Sequence, residues 1–138
     1  MIDREQIAIM VKDVERYLYD LSEINIKTKE ALSNKESYYA VSMLVFSIMN
    51  RVLDVGNEII SGSENIPIPG SYGETFELLS QNKIINPKLS SSLSGLTKYR
   101  NIIAHEYYRL TNTELFKLKN DIFVVQDFIK EIKNVLKK

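Results

Sequence analysis

Apolar residues recur along this chain at spacings of three and four, the rhythm that lines one side of a helix. Ile7, Val11, Val14, Leu18 and Leu21 form the first stripe, behind Asp3 as a candidate cap with Gln6 three residues on. That helix is expected to fade between Lys27 and Ala31. Ser33-Asn34-Lys35-Glu36 has the form of a capping box and opens a longer helix. Its stripe, Val41, Leu44, Val45, Ile48, Val52, Val55 and Ile59, covers more of the circumference, which predicts a central position. Arg51, Asp54 and Asn57 interrupt it, and Gly62 is placed to end it.

The stretch from Ser61 to Gly70 is a loop, because Pro67 and Pro69 exclude a helix interior and push their predecessors toward extended backbone. Ser71-Tyr72-Gly73-Glu74 repeats the capping-box pattern before a short helix carrying Phe76, Leu78 and Leu79 to about Asn82. Asn86-Pro87 reads as a cap followed by proline in the first helical position. A helix then runs through Leu89, Leu93 and Leu96, with Gly95 as a weak point. After a last capping box at Thr111-Asn112-Thr113-Glu114, the stripe Leu115, Leu118, Ile122, Val125, Ile129, Ile132 and Leu136 predicts one helix of about six turns. Lys133, Lys137 and Lys138 suit the negative end of its dipole, with a short basic RNA-contacting end as the other reading. Strand patterns are nearly lacking. The fold class is all-α: a bundle of four long helices and one short one, with residues 1–138 as a single domain.

Composition narrows the functions without choosing one. Lysine plus arginine and aspartate plus glutamate are both 18, so no global basic field draws nucleic acid, and an RNA site here would rely on placed contacts. There are no cysteines, hence no disulfide framework or thiolate metal site, which fits a reducing compartment. No uninterrupted apolar run approaches the roughly 20 residues of a membrane helix, and the N-terminus lacks a signal-peptide pattern. A cytoplasmic protein with no membrane contact is expected. No His/Cys/Asp/Glu group has metal-ligand spacing and no glycine-rich phosphate loop follows a strand, so neither metal nor cofactor is expected.

The chemistry gathers in Arg100-Asn101-Ile102-Ile103-Ala104-His105-Glu106-Tyr107, which holds the single histidine of the 138 residues. The apolar rhythm of 89, 93 and 96 continues into 100, 103 and 107, so Arg100 and Tyr107 stand where leucines are expected. On a helical wheel Tyr107 falls about 20° from Arg100 and His105 about 140° away, beside Asn101 and Tyr108. These side chains converge only if the helix ends or bends near His105, or if a second copy contributes. An arginine on a core seam must be paired or must meet another surface, since burying an unpaired charge is expensive. Asp54 and Asn57 either pair with it or face solvent. Histidine near neutral pKa and arginine suit metal-independent RNA cleavage: one moves the 2′-hydroxyl or leaving-group proton, the other holds the phosphate. One histidine does not easily serve as both acid and base, and a two-fold dimer supplies two. A lone histidine near a helix end is also, often, only structural.

Arg100-x4-His105-x-Tyr107, with Asn101 after the arginine, resembles the RX4HXY motif of the HepT family within the HEPN superfamily. Pro69-Gly70-Ser71-Tyr72-Gly73-Glu74-Thr75-Phe76-Glu77-Leu78-Leu79 resembles that family's Pro-x-Ser-Tyr segment, and Val52-Leu53-Asp54-Val55-Gly56 its helix-two aspartate region. The resemblance implies a HEPN-like bundle and a ribonuclease toxin of a type II-like toxin–antitoxin system. It implies a homodimer, an RNA substrate and an MNT-type nucleotidyltransferase antitoxin as partners. Arg100 and His105 become the catalytic pair, Asn101 and Asp54 supporting residues, and Tyr107 the tyrosine that receives AMP and silences the toxin. Tyr108, beside it, departs from the pattern and competes for that role. The alternative is a non-catalytic helical subunit that partners a minimal nucleotidyltransferase.

Overall fold

The longest helix sets the arrangement of the others. In the computed structural model, which describes residues 1–106 and 110–137, α2 spans Lys35–Ser61 and packs against α1 (Arg4–Glu23), α3 (Tyr72–Gln81), α4 (Pro87–Glu106) and α5 (Asn112–Asp121). The last helix, α6 (Val125–Leu136), packs on α1 and α4, and no strand occurs among the described residues. Val41, Val45, Ile48, Val55 and Ile59 of α2 are completely buried, which is what an apolar surface wider than one stripe requires. By length and composition α2 alone among the described helices also suffices to cross a membrane, but half of that segment is buried in the protein core.

The local signals act where they stand. Asp3, Asn34, Ser71, Asn86 and Thr111 each accept a backbone N–H of the helix they open. At the second helix the cap is therefore Asn34 rather than Ser33. Among the described residues only Thr111 completes a reciprocal box, with Glu114 accepting the Thr111 N–H. Glu74 instead accepts the N–H of Gly70 at 2.9 Å, which fastens the proline loop to the start of α3.

Two boundaries depart from the periodicity. α1 ends at Glu23, several residues early, where Ile24 turns extended. The chain then buries Ile26 and, in a 3-10 turn over Lys29–Ser33, Leu32. The C-terminal stripe is divided by a second 3-10 turn over Ile122–Val124. That tighter turn redirects the chain, so α5 packs on α2 and the 29–33 turn while α6 packs on α1 and α4. The seam residues Leu115, Leu118, Ile122, Val125, Ile129 and Ile132 are all buried nonetheless.

Gly56 decides how closely α2 meets α3. A Cβ there would stand 2.9 Å from the Thr75 methyl and 3.3 Å from a Leu79 methyl, so the hydrogen-only side chain is required for this approach. Phe76 and Phe128, both buried, meet edge to face at 6.1 Å and lock α3 to α6. This closes the core beneath the surface formed by α2, the start of α3 and the later turns of α4.

Candidate functional site

The leucine seam of α4 carries Arg100 to that surface. Leu89, Leu93, Leu96 and Ile103 are buried, and Arg100, standing in their rhythm, is half-buried against α2 and the start of α3. Its Nε donates to Asn50 Oδ1 at 2.8 Å and its Nη1 to Asn101 Oδ1 at 3.0 Å. The guanidinium carbon lies 4.9 Å from the Tyr72 ring centroid and 5.4 Å from that of Phe46. Each such ring contact contributes about 0.5–1 kcal/mol where water still has access.

All four partners are neutral. Among the described residues no carboxylate forms an ion pair with Arg100. The arginine is therefore held in place without being neutralised, and its remaining N–H donors stay available in a planar fork. That arrangement suits an anion with two oxygens to offer, such as a phosphate. It also answers the burial problem: aromatic faces and amide oxygens replace water around the cation, with no second charge.

The other expected residues fall in different places. Asn101 is exposed and bonded to Arg100. Asp54 is turned to Arg51, 3.1 Å away, and Arg51 also meets Asp13 of α1 at 3.2 Å. Asn57 accepts the Thr75 hydroxyl at 3.0 Å. Neither Asp54 nor Asn57 pairs with Arg100. His105 is exposed in the last turn of α4, which runs unbroken from Arg100 to Glu106. The two side chains thus keep their separation of about 140° around the helix, and no hydrogen bond joins them within one chain. Tyr107 and Tyr108 lie outside the described residues. Leu110, which follows them, is buried, and its carbonyl accepts the Tyr38 hydroxyl at 2.6 Å.

Asn50 and Phe46 were not foreseen. The signal available for them is a single amide in an apolar run, one turn after an aromatic residue and on the same face of α2. Tyr72 lay in the segment noted for its resemblance, with no role attached.

Two cavities are lined by residues that touch Arg100: Tyr72 and Asn101 in one, Phe46 in the other. A polar one of about 510 Å³ lies between α2, the loop before α3, and α4, lined by Asn57, Ser71, Tyr72, Thr97, Lys98 and Asn101 among others. An apolar groove of about 490 Å³ is formed by Tyr39, Ser42, Met43 and Phe46 with Ile103 and Ala104. Met43 is 64% exposed and Tyr39 47%, large apolar surfaces beside the turn that carries His105. The Ser42 hydroxyl at the groove is buried and has no hydrogen-bond partner. A larger cleft of about 630 Å³, lined by Glu15, Tyr19, Lys130 and Lys133, opens between α1 and α6, away from Arg100.

A family model described as ribonuclease HepT-like matches residues 11–132. YutE of Bacillus subtilis (strain 168) is 33% identical over 86 residues, covering 62% of this chain and 59% of YutE. The mRNA nuclease HepT of Shewanella oneidensis is 36% identical over 58 residues, covering 42% of this chain and 43% of that protein. The matched part thus spans three fifths or less of these curated relatives. The solved structure of YutE, described as a cytosolic protein, matches with a TM-score of 0.85 at 25% identity, over 99% of this chain and 92% of that one. A tri-AMPylated Shewanella oneidensis HEPN toxin in complex with MNT antitoxin matches with a TM-score of 0.81 at 20% identity, over 97% and 99% of the two chains. At that identity the likeness to the toxin is one of fold.

Proposed function

The chain belongs to the ribonuclease HepT-like family, and on that premise we propose that it is a metal-independent endoribonuclease and the toxin of a two-component toxin–antitoxin system. The observation that carries this reading is Arg100, a cation fixed by two amides and two rings and, among the described residues, neutralised by no carboxylate. The guanidinium grips the scissile phosphate and stabilises the charge that develops as the 2′-oxygen attacks phosphorus. His105 takes the 2′-hydroxyl proton; the P–O5′ bond breaks, and the histidine of a second copy gives the departing oxygen its proton. The products are a 2′,3′-cyclic phosphate and a 5′-hydroxyl. Asn101 supports Arg100 directly, and Asp54 only through Arg51 and the setting of α2.

The same geometry supports a homodimer. One chain keeps Arg100 and His105 on different sides of α4, so the site is completed by a two-fold partner seated on the apolar groove of Tyr39, Met43 and Ile103. The whole chain acts as one helical unit in the cytoplasm, under the control of an MNT-type nucleotidyltransferase. That partner attaches AMP to Tyr107, placing bulk and a negative phosphodiester where RNA phosphate must sit.

Cleavage of RNA by the purified dimer with metals chelated tests the activity. Arg100→Ala and His105→Ala should each abolish cleavage and growth inhibition while the protein stays folded. The melting temperature should fall in Arg100→Ala, which loses two ring contacts and two hydrogen bonds, and hold in His105→Ala. Full activity in either variant overturns the assignment, and an inert wild-type dimer that binds the transferase tightly favours the non-catalytic subunit. Intact-mass analysis after co-expression with the transferase should show added AMP that disappears in Tyr107→Phe. If the addition survives there but is lost in Tyr108→Phe, the acceptor is Tyr108.

A further inference from the structure

The polar cavity lined by Tyr72 and Asn101 beside Arg100 has a definite sense of hydrogen bonding. Its acceptors are largely occupied by the protein itself. Asn101 Oδ1 accepts from Arg100 at 3.0 Å, and because arginine can only donate, this fixes the amide with its NH2 group turned outward. Asn57 Oδ1 accepts the Thr75 hydroxyl at 3.0 Å, which leaves the Asn57 NH2 as the group to be satisfied at the cavity wall. The Gly73 carbonyl takes the Ser94 hydroxyl at 3.2 Å, and Ser71 Oγ takes the Glu74 N–H at 3.2 Å. What remains to face a ligand includes two amide NH2 groups; Lys98 also lines the cavity, its ammonium 5.1 Å from the Tyr99 ring centroid, and no carboxylate is among the lining residues.

A cavity of about 510 Å³ that offers donors and a cation fits an acceptor-rich, anionic guest. Its position decides which one. Lys98 and Thr97 stand one turn before Asn101 on α4, so the cavity begins where the Arg100 phosphate site ends. Tyr72 is common to both, lining the cavity while its ring lies under the guanidinium. We infer that this cavity is the subsite for the RNA nucleotide next to the scissile phosphate. Its base presents acceptor atoms to the Asn57 and Asn101 amides, and its own phosphate meets Lys98. The strand then runs from Arg100 back along α4 toward the proline loop. With equal numbers of acidic and basic residues in the chain, these placed donors supply the affinity that a global field does not.

This rests on the ribonuclease reading, and two measurements keep them separable. The first uses a fluorescent 2′-O-methyl RNA octamer, which lacks the attacking hydroxyl, and follows binding by anisotropy. Asn57→Asp keeps an oxygen for Thr75 and exchanges the donor for a carboxylate, while Lys98→Ala removes an exposed cation and serves as the variant that cannot unsettle the core. Each should weaken binding by about tenfold, and Lys130→Ala in the distant cleft by less than about twofold. The second is cleavage of unmodified RNA, where both variants should raise KM with kcat little changed. Binding within about twofold of wild type in both variants overturns the subsite, as does an equal loss in Lys130→Ala. A wild type that cleaves with KM unmoved by the variants also overturns it and leaves the ribonuclease reading standing. A wild type that never cleaves, yet loses probe affinity in Asn57→Asp, does the reverse.

Discussion

Asn50→Asp separates holding Arg100 from neutralising it. The two side chains are almost the same size, so a carboxylate would replace the amide 2.8 Å from Arg100 Nε and could accept the same bond. Stability should hold or rise slightly, because an ion pair replaces a cation–amide hydrogen bond in a half-buried setting. Substrate binding should suffer. A phosphate on the outward edge of the guanidinium would lie roughly 7 Å from the new charge, and at an effective dielectric of about 20 the repulsion is about 2 kcal/mol. That corresponds to a fall of roughly 30-fold in kcat/KM. The assay is cleavage of a quenched RNA oligonucleotide at physiological salt with metals chelated, beside a thermal melt of the same preparation. Activity within about threefold of wild type, with the melt unchanged, would refute the idea that an uncompensated Arg100 carries the site.

Lys83 adopts a left-handed backbone (φ 60°) after α3, where Ile84 N–H bonds Leu79 O at 2.9 Å and Lys83 N–H bonds Ser80 O at 3.0 Å. This is a helix stop that favours glycine, so Lys83→Gly should stabilise the protein by about 0.5–1 kcal/mol in urea unfolding; a loss would contradict the geometry. Gly56→Val should destabilise by about 1–3 kcal/mol, because its side chain must displace Thr75 and Leu79, and RNA cleavage should fall with it as the Asn57–Thr75 bond is disturbed. Tyr38→Phe removes the 2.6 Å bond to the Leu110 carbonyl and should lower stability by about 1 kcal/mol, read from the denaturation midpoint. Met43→Arg places a charge on the apolar groove and should convert a dimer to a monomer in sedimentation, with cleavage lost; a dimer that persists and remains active would move the interface elsewhere.

Much of the helical framework was legible because its causes are short-range. Asp3, Ser71, Asn86 and Thr111 cap helices through bonds to the residue three positions on, so they read correctly from the chain alone. The buried stripes follow from the helical period, which is the same wherever the helix sits. The misplaced boundaries had a different origin. α1 stops at Glu23 so that Ile26 and Leu32 can be buried, and the C-terminal helix tightens at Ile122–Val124 to change its packing partners. Both choices are made by neighbours distant in sequence.

By itself, the sequence determined the all-α class, the order of the helices, and the placing of Arg100, Asn101 and His105 at the end of α4. It also marked Arg100 as an anomaly, a charge at a leucine's place in the seam. Only the tertiary structure decided how that charge is accommodated. Asn50, fifty residues earlier, and Tyr72, from the start of another helix, reach Arg100 because the core brings α2, α3 and α4 together. Asp54, which the family resemblance offered as a support, is taken by Arg51. The reason is that periodicity reports which side of a helix is apolar, whereas a charge is stabilised by whatever groups lie within a few ångströms of it, and those are set by packing between helices.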